Sequence, residues 1–193
     1  MYEFIRGTVA EINPARIVIE AGGVGYFINI SLNTYTKLNG KKEASVYTHL
    51  AVREDAHILY GFAEKSERDL FRNLISVNGV GAGTAIMMLS SLSTEEIVAA
   101  VSTDNINVLR GIKGIGIKTA QRIVIDLKDK LVKFQESAQI LFTPDNTTRN
   151  EALSALVMLG FAKKDTENVV SKIMQEQPGI TVESVIKQAL KRM

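Results

Sequence analysis

Hydrophobic and polar positions along the chain follow two different periods. Up to residue 62, short runs rich in β-branched and aromatic residues alternate with Asn-Pro, Gly-Gly and Asn-Gly-Lys, which predicts β-strands joined by tight turns. Five short strands within about 60 residues favour a small closed barrel or a sandwich. The predicted strands cover residues 2–9, 15–21, 24–32, 43–50 and 57–62.

From residue 64 onward, the apolar positions recur with the spacing of amphipathic helices. Ser93 and Asp104 stand where helix N-caps belong. Gly160 and a Pro-Gly pair at 178–179 separate the last three helices. The predicted helices cover residues 64–76, 83–92, 94–101, 106–109, 118–131, 151–159, 166–175 and 182–192.

The chain is predicted to be multidomain and of the α+β class. A strand domain at 1–63 precedes a helical domain at 64–134, and a flexible linker at 135–148 leads to a three-helix domain at 149–193. The linker is predicted because the segment is polar and rich in turn formers around Pro144. A bundle of about 45 residues buries only a small core, and its expected role is docking.

The helical domain contains an internal duplication. Residues 75–89 align with residues 110–124 at an offset of 35 residues. Each copy predicts a helix, a tight glycine turn and a second helix. Such a turn exposes backbone amides at a helix N-terminus, where partial positive charge favours phosphate. The aligned pairs are Gly79 with Gly114, Gly81 with Gly116, Thr84 with Thr119, Ala85 with Ala120, Val77 with Ile112 and Val80 with Ile115.

The second copy also comes close to a nucleotide-binding loop. Gly111 and Gly116 enclose four residues, and a Lys-Thr pair follows. In a P-loop, however, the lysine follows the second glycine directly, whereas here Ile117 separates Gly116 from Lys118. Thr119 occupies the place of the third glycine of a dinucleotide fingerprint. The glycine turns therefore suit a phosphodiester backbone, which is contacted without reading the bases.

Positive charge is concentrated beside the second glycine turn. The chain has a net charge of +2, and residues 1–63 and 135–193 each carry equal numbers of basic and acidic side chains. Residues 110–133 carry seven basic side chains against two acidic ones. Such an excess is typical of a surface that binds a polyanion, although an ordinary solvated helix face has the same pattern.

Composition restricts the location and the chemistry of the protein. There is no cysteine and no apolar run of the roughly 20 residues that a membrane span needs, and the segment MYEFIRGTVAEI lacks the basic start and long apolar core of a signal peptide. We therefore expect a cytoplasmic protein without membrane contact. His49 and His57 are the only histidines, and no metal-binding spacing occurs, so we predict no catalytic residue, no metal and no cofactor.

The motifs VNGVGAGTA and GIKGIGIKTA resemble the paired helix-hairpin-helix motifs of DNA repair and recombination proteins. Together with GGVGY, THLAVREDAHILYGF and the linked three-helix unit, they make the whole chain similar to the RuvA family of Holliday junction branch migration proteins. The resemblance implies an N-terminal five-stranded OB-fold barrel, a helical middle domain with two helix-hairpin-helix motifs and a C-terminal three-helix bundle that binds the RuvB hexameric ATPase. It also implies a homotetrameric plate, or an octamer of two plates, on four-way junction DNA, with the RuvC resolvase as a further candidate partner.

The resemblance also assigns roles to individual residues. Gly83 and Ile117 stand where relatives often carry a basic residue, so this member is expected to rely more on backbone amides and on Lys113, Arg110 or Lys128. Glu54 and Asp55 match the acidic pin, which repels phosphates at the centre of the junction. The implied DNA-binding residues are Asn78, Gly79, Val80, Gly81, Gly83, Thr84, Lys113, Gly114, Ile115, Gly116, Lys118, Thr119 and Arg122. The implied contacts to the motor are Leu156, Leu159, Gly160 and Phe161.

Other functions fit parts of the pattern. A helix-hairpin-helix glycosylase or lyase uses a similar turn, and Asp126 and Lys128 are the nearest candidates for its catalytic group, but a larger helical domain with a base-sized pocket is missing. A general DNA-binding module would need only the hairpins. A single-strand binder needs stacking aromatic residues beside basic ones. The aromatic residues that the barrel offers, which we expect in its core instead, are Tyr26, Phe27, Tyr47, Tyr60 and Phe62.

Overall fold

The N-terminal strands close into the predicted barrel. The computed structural model describes residues 2–139, 144–177 and 179–193. The strands pair in the order β1-β2-β3-β5-β4 and back to β1, with β3 and β5 parallel and the other pairs antiparallel, which is an OB-fold barrel. The strands are β1 (Phe4–Asn13), β2 (Arg16–Ala21), β3 (Val24–Ile30), β4 (Glu43–Val52) and β5 (His57–Phe62).

Alternating isoleucines fill the barrel. Ile17 and Ile19 on β2, together with Ile28 and Ile30 on β3, are fully buried because successive side chains of a strand point to opposite faces. Each such side chain stabilises the fold by roughly 1.5–3 kcal/mol. Gly61 on β5 leaves room for them, since a Cβ there would lie 2.5 Å from a methyl group of Ile28.

A short helix that the sequence did not predict follows β3. This helix, α1 (Leu32–Leu38), replaces the end of the predicted third strand. Ser31 caps it, because its Oγ accepts a hydrogen bond from the Thr34 N–H at 3.0 Å. The Asn33 side chain donates to the Leu89 carbonyl at 2.6 Å. Threonine and tyrosine in this segment favour strands, so the cap and these tertiary hydrogen bonds decide its structure.

The helical region that follows contains both copies of the duplication. Ser93 caps α4 in a capping box, as predicted. Asp104 does not cap α5: the Asn105 side chain accepts from the Val108 N–H instead, and Asp104 has a φ of 55°. The prediction is wrong by one residue because aspartate and asparagine are both good N-caps. The helices are α2 (Lys65–Ile75), α3 (Ala82–Ser91), α4 (Thr94–Ser102), α5 (Ile106–Arg110) and α6 (Ile117–Gln139).

Helix α2 joins this helical region to the barrel. Its Phe71 ring lies 4.9 Å from the ring of Phe62 on β5, measured between centroids. One turn earlier, the buried Glu67 carboxylate accepts hydrogen bonds from the hydroxyls of Ser31 and Thr34 at 2.5 and 2.8 Å. Burial raises the pKa of the Glu67 carboxyl, and these two hydrogen bonds oppose that rise.

The three predicted C-terminal helices are confirmed as α7 (Pro144–Met158), α8 (Lys163–Glu176) and α9 (Val182–Arg192). They belong to a compact unit at 133–193, separate from a unit at 1–132. No single helix of the described residues has the length and apolar character of a membrane span; α3 and α4 have it only as a pair, bent by 101°. The core of the C-terminal bundle consists of Ala152, Leu156, Val170, Ile173, Val185 and Ala189.

The segment predicted as a flexible linker is helical at both of its ends. Helix α6 continues to Gln139, and α7 begins at Pro144. Proline suits the first position of a helix, because its missing N–H has no partner there in any case, so a residue that indicated a turn also indicates a helix start. Residues 140–143 of the predicted linker, like Pro178 of the Pro-Gly pair, lie outside the described residues. The domain boundaries at 134 and 149 stay predictions.

Candidate nucleic-acid interface

The first hairpin connects α2 to α3 through a turn anchored by two buried valines. Val77 and Val80 are almost fully buried, and the Val80 N–H donates to the Val77 carbonyl at 3.0 Å. Gly79 lies between them with a φ of 92°, a conformation that favours glycine. Gly81 is the N-cap of α3, and its carbonyl accepts from the Ala85 N–H at 2.9 Å. The valines hold the turn from inside while both glycines are exposed.

The second hairpin repeats this arrangement. Ile112 and Ile115 are buried, and the Ile115 N–H donates to the Ile112 carbonyl at 3.1 Å. Gly114 has a φ of 89°, and the Gly116 carbonyl accepts from the Ala120 N–H at 2.9 Å. The duplication in the sequence is therefore a duplication of buried anchors, backbone conformation and hydrogen bonds.

At three glycines of the hairpins, neither steric contacts nor φ within this unit require the absence of a side chain. A methyl group added at Gly81, Gly83 or Gly116 would meet no atom within 4 Å. Gly81 has a φ of −84°, which any residue adopts, and Gly83 and Gly116 likewise lack a positive φ. Gly79 and Gly114 differ, because their positive φ already accounts for glycine.

Basic side chains surround the hairpins, but not all of them are available to a ligand. Lys118, exposed in the first turn of α6, forms no ion pair with any described residue. Lys128 is held 2.5 Å from a carboxylate oxygen of Asp104. Arg122 reaches the other hairpin, where its Nη1 donates to the Asn78 carbonyl at 3.3 Å. Two of the predicted DNA-binding residues, Asn78 and Arg122, are therefore in direct contact with each other.

Lys130 is a further basic residue at this surface and is not among the residues predicted to bind DNA. Its Nζ lies 3.3 Å from Ser76 Oγ, at the start of the first hairpin turn. Lys118, Arg122 and Lys130 are separated by four and eight residues. On an α-helix this spacing places them along one face, and it was the signal that could have identified Lys130.

The predicted pin residues occupy the tip of the β4–β5 hairpin. Val52 pairs with His57, and the Arg53 N–H donates to the Ala56 carbonyl at 2.9 Å. Glu54 and Asp55 therefore form the two-residue tip of the hairpin. Both side chains are exposed and form no ion pair with the described residues. The tip presents two carboxylates to solvent.

Comparisons with known proteins cover almost the whole chain. The family models that match are RuvA N terminal domain at residues 1–61, SAM-like Helix-hairpin-helix tandem at 71–129 and RuvA, C-terminal domain at 147–193. The chain is also 50% identical to the Holliday junction branch migration complex subunit RuvA of Christiangramia forsetii, over the full length of both chains. The chain belongs to the RuvA family. Proteins of the same name from Bacteroides thetaiotaomicron and Flavobacterium psychrophilum are each 48% identical to it, again over the full length of both chains.

The structure of this RuvA family member also bears on the rival functions. Asp126, a candidate for glycosylase chemistry, is exposed on α6, and Lys128 is paired with Asp104. Among the barrel aromatic residues, Phe62 is buried as expected, but Phe27 is not. Phe27 is 52% exposed with the Arg16 guanidinium 5.5 Å from its ring centroid, because it points outward from β3.

The C-terminal residues predicted to contact the RuvB motor fall into two groups. Leu156 is fully buried in the core of the bundle, so its side chain is not available as a surface contact. It lies one helical turn from Ala152, also in that core, and this spacing marks the inner face of α7. Phe161 is partly buried and packs against the same core. Leu159 is 61% exposed, and Gly160 follows it with a φ of 98°.

Proposed function

We propose that this chain is the non-catalytic DNA-binding subunit of a branch migration complex. It binds four-way junctions without reading their sequence, holds them open and planar, and recruits the RuvB ATPase as the motor. The ATPase activity belongs to the partner, and RuvC acts on the same junctions. The relatives are named as Holliday junction branch migration complex subunits, and the hairpins and the pin of this chain suit that work.

The observation that carries the proposal is the pair of open glycines, Gly81 and Gly116. Neither φ nor contacts within the chain require glycine at these positions. A ligand that comes against the backbone supplies the missing reason, because a Cβ would keep it away from the N–H groups. Both glycines stand at the N-terminus of a helix, where an anionic phosphate is favoured. Two such sites suit neighbouring phosphates of one DNA arm.

Sequence independence follows from the kind of contact. Backbone amides of the two turns and the exposed Lys113 and Lys118 bind phosphates, which are the same in every sequence. Each phosphate neutralised by a basic side chain releases counterions, so the affinity falls as the salt concentration rises. The residues assigned to this interface are Asn78, Gly79, Val80, Gly81, Gly83, Thr84, Lys113, Gly114, Ile115, Gly116, Lys118, Thr119 and Arg122.

The pin supplies preference for junctions. In a homotetrameric plate, four hairpin tips bring eight carboxylates from Glu54 and Asp55 to the centre, on the premise that each subunit contributes two. A continuous duplex across the centre places phosphates against these charges, whereas an open junction leaves the centre free of DNA. Repulsion of the wrong substrate is a common source of specificity. An octamer of two plates encloses the junction from both sides.

Motor recruitment falls to the C-terminal unit. Val157, Met158 and Leu159 form an exposed apolar stretch at the end of α7, with Met158 90% exposed. Exposed apolar residues in a row are typical of protein interaction sites. Leu159, Gly160 and Phe161 keep their assignment to the RuvB contact, and Met158 joins them.

The test is a binding competition between a synthetic four-way junction and a linear duplex with the same arms, at fixed salt. The wild type is compared with Glu54→Ala/Asp55→Ala. We expect the wild type to prefer the junction and the double variant to lose that preference by gaining affinity for the linear duplex. The matched control is Glu43→Ala/Glu95→Ala, which removes the same charge from two exposed positions outside the tip.

The two parts of the proposal fail in different ways. Equal binding of junction and duplex by the wild type would make the protein a general helix-hairpin-helix DNA-binding module. If the control variant gains as much duplex affinity as the pin variant, the pin acts only through the net charge of the protein and not through its position. Release of a base from a damaged duplex would support the glycosylase alternative instead.

A further inference from the structure

The first hairpin has no charge of its own. Residues 75–91, which include its turn and all of α3, contain neither a basic nor an acidic side chain. In the second hairpin, Lys118 follows the turn, and the equivalent position of the first is Gly83. The first turn therefore has the amides for a phosphate but lacks the cation that accompanies them in the second.

Two cations from the second hairpin lie against the first. Arg122 on α6 donates through Nη1 to the Asn78 carbonyl, directly before Gly79, at 3.3 Å. Lys130, two turns further along α6, lies 3.3 Å from Ser76 Oγ. Ser76 and Asn78 thus each receive a contact from a basic side chain that is 54 or 44 residues distant in the sequence.

We propose that the phosphate site of the first hairpin takes its positive charge from the second hairpin, through Arg122 with Lys130 beside it. The inference deepens the proposed function and rests on it, since the ligand is the same phosphodiester backbone. Arg122 is accordingly a residue of the first phosphate site, although it belongs to the helix of the second hairpin. Arg122 and Lys130 on α6 thus supply the positive charge that is missing at Gly83.

The chemistry of arginine fits this double role. A guanidinium carries five N–H donors in a planar fork, so one can bond the Asn78 carbonyl while others bind a phosphate oxygen. The carbonyl also orients the side chain, which lowers the entropy lost when it binds the phosphate. The exposure of Arg122 leaves this second contact accessible. The same bond ties the two turns together, so that they meet one DNA arm in a fixed spacing.

A double-mutant cycle with Gly83→Lys tests the proposal. A lysine fits at Gly83, because a Cβ there meets nothing within 4 Å. Affinity and its salt dependence are measured on a four-way junction and on a linear duplex for the wild type, Arg122→Ala, Gly83→Lys and the double variant. Gly83→Ala controls for the better helix propensity of a non-glycine residue. Lys118→Ala replaces Arg122→Ala in a second cycle that removes a charge from the other turn.

We expect Arg122→Ala to lower the affinity about threefold to tenfold. The negative slope of log affinity against log salt should become less steep by about 0.9. Gly83→Lys should restore most of this loss, and its gain should be larger in the Arg122→Ala background than in the wild type. In the Lys118→Ala background its gain should equal that in the wild type. Arg122→Gln, which keeps a polar amide but no charge, should behave like Arg122→Ala.

Two results would overturn the inference. One is an Arg122→Ala variant with unchanged affinity and salt slope; the other is an equal gain from Gly83→Lys in every background. Thermal unfolding of Arg122→Ala and Arg122→Gln identifies any loss of affinity that is caused by misfolding. Failure of the proposed function is distinct, because it appears as absent junction preference in the wild type, whereas the cycle is read on both DNAs.

Discussion

Gly79 and Gly114 hold the same backbone conformation at equivalent places of the two hairpins, with φ angles of 92° and 89°. Each is followed by a buried apolar residue and then by an exposed glycine of ordinary conformation. The two glycines of a turn therefore have different reasons to be glycine: the first is required by the conformation of the chain, and the second by whatever approaches it.

Substitution separates these two reasons. We expect Gly116→Ala to cost less than about 1 kcal/mol of stability, because its added methyl group meets no atom and only the N-cap preference for glycine over alanine is lost. Its affinity for junction DNA should nevertheless fall. Gly114→Ala, in contrast, should cost about 1–2 kcal/mol of stability, because alanine is strained at positive φ. Denaturant unfolding and a binding titration on the same samples check both statements. Unchanged DNA affinity of a folded Gly116→Ala protein would contradict the phosphate site.

The lysines of α6 should contribute unequally to DNA binding. Lys118 forms no ion pair with a described residue, whereas Lys128 is 2.5 Å from Asp104. Lys118→Ala should therefore make the negative slope of log affinity against log salt less steep by about 0.9, the value for one phosphate contact. Lys128→Ala should reduce the steepness of this slope less, since Asp104 already neutralises the charge of Lys128. Equal slopes for the two variants would contradict this ranking.

The pattern of the sequence was sufficient for features that rest on periodicity and repetition. The barrel strands alternate, and the second hairpin repeats the glycines and buried anchors of the first, so both could be predicted. Features decided by tertiary contacts could not. Helix α1 depends on hydrogen bonds to α3, and the contact of Arg122 with Asn78 joins residues that are 44 positions apart.

Leu156 illustrates a different limit. The residues near Gly160 form one apolar cluster in the sequence, and both core and surface roles fit that composition. The position on the helix decides between them, because Leu156 shares the inner face of α7 with Ala152, while Met158 and Leu159 point away from the core. Assigning that face requires the positions of α8 and α9.

The stability of the N-terminal unit should depend on pH through Glu67. Burial raises the pKa of its carboxyl above the usual 4.5. The favourable contribution of Glu67 to stability is therefore complete below pH 4.5. It is lost as the pH rises through the raised pKa, where a buried charge forms. Relative to Glu67→Gln, which stays neutral, the wild type should lose stability as the pH rises above about 4.5 and through the raised pKa of Glu67. Denaturant unfolding across this range measures the difference.

Glu95→Gln is the matched control for this series, because it neutralises an exposed carboxylate on α4. A difference between wild type and Glu67→Gln that stays constant over the whole range would contradict the role of burial. Such a result would mean that the hydrogen bonds from Ser31 and Thr34 offset the loss of hydration. The hydroxyls would then hold the carboxylate in its charged form at the junction of α1 and α2.

The C-terminal unit offers a final pair of variants, Leu156→Ala and Leu159→Ala, which differ in burial. Leu156 is fully buried, so its truncation leaves a cavity and should destabilise the bundle by about 2–5 kcal/mol. Leu159 is 61% exposed, so its truncation should change stability by less than about 0.5 kcal/mol. Hydrogen exchange of the α8 and α9 amides reports these changes locally, without unfolding the rest of the chain. Affinity for RuvB is measured in parallel.

The two measurements together distinguish packing from recognition. If Leu159 contacts the motor, Leu159→Ala should weaken RuvB binding while the exchange rates of the bundle remain those of the wild type. Leu156→Ala should raise the exchange rates first and affect RuvB only to the extent that the bundle opens. A Leu159→Ala protein with normal RuvB affinity would move the contact to another part of the surface, and Met158→Ala, at the 90% exposed neighbour, would then be the next variant to compare.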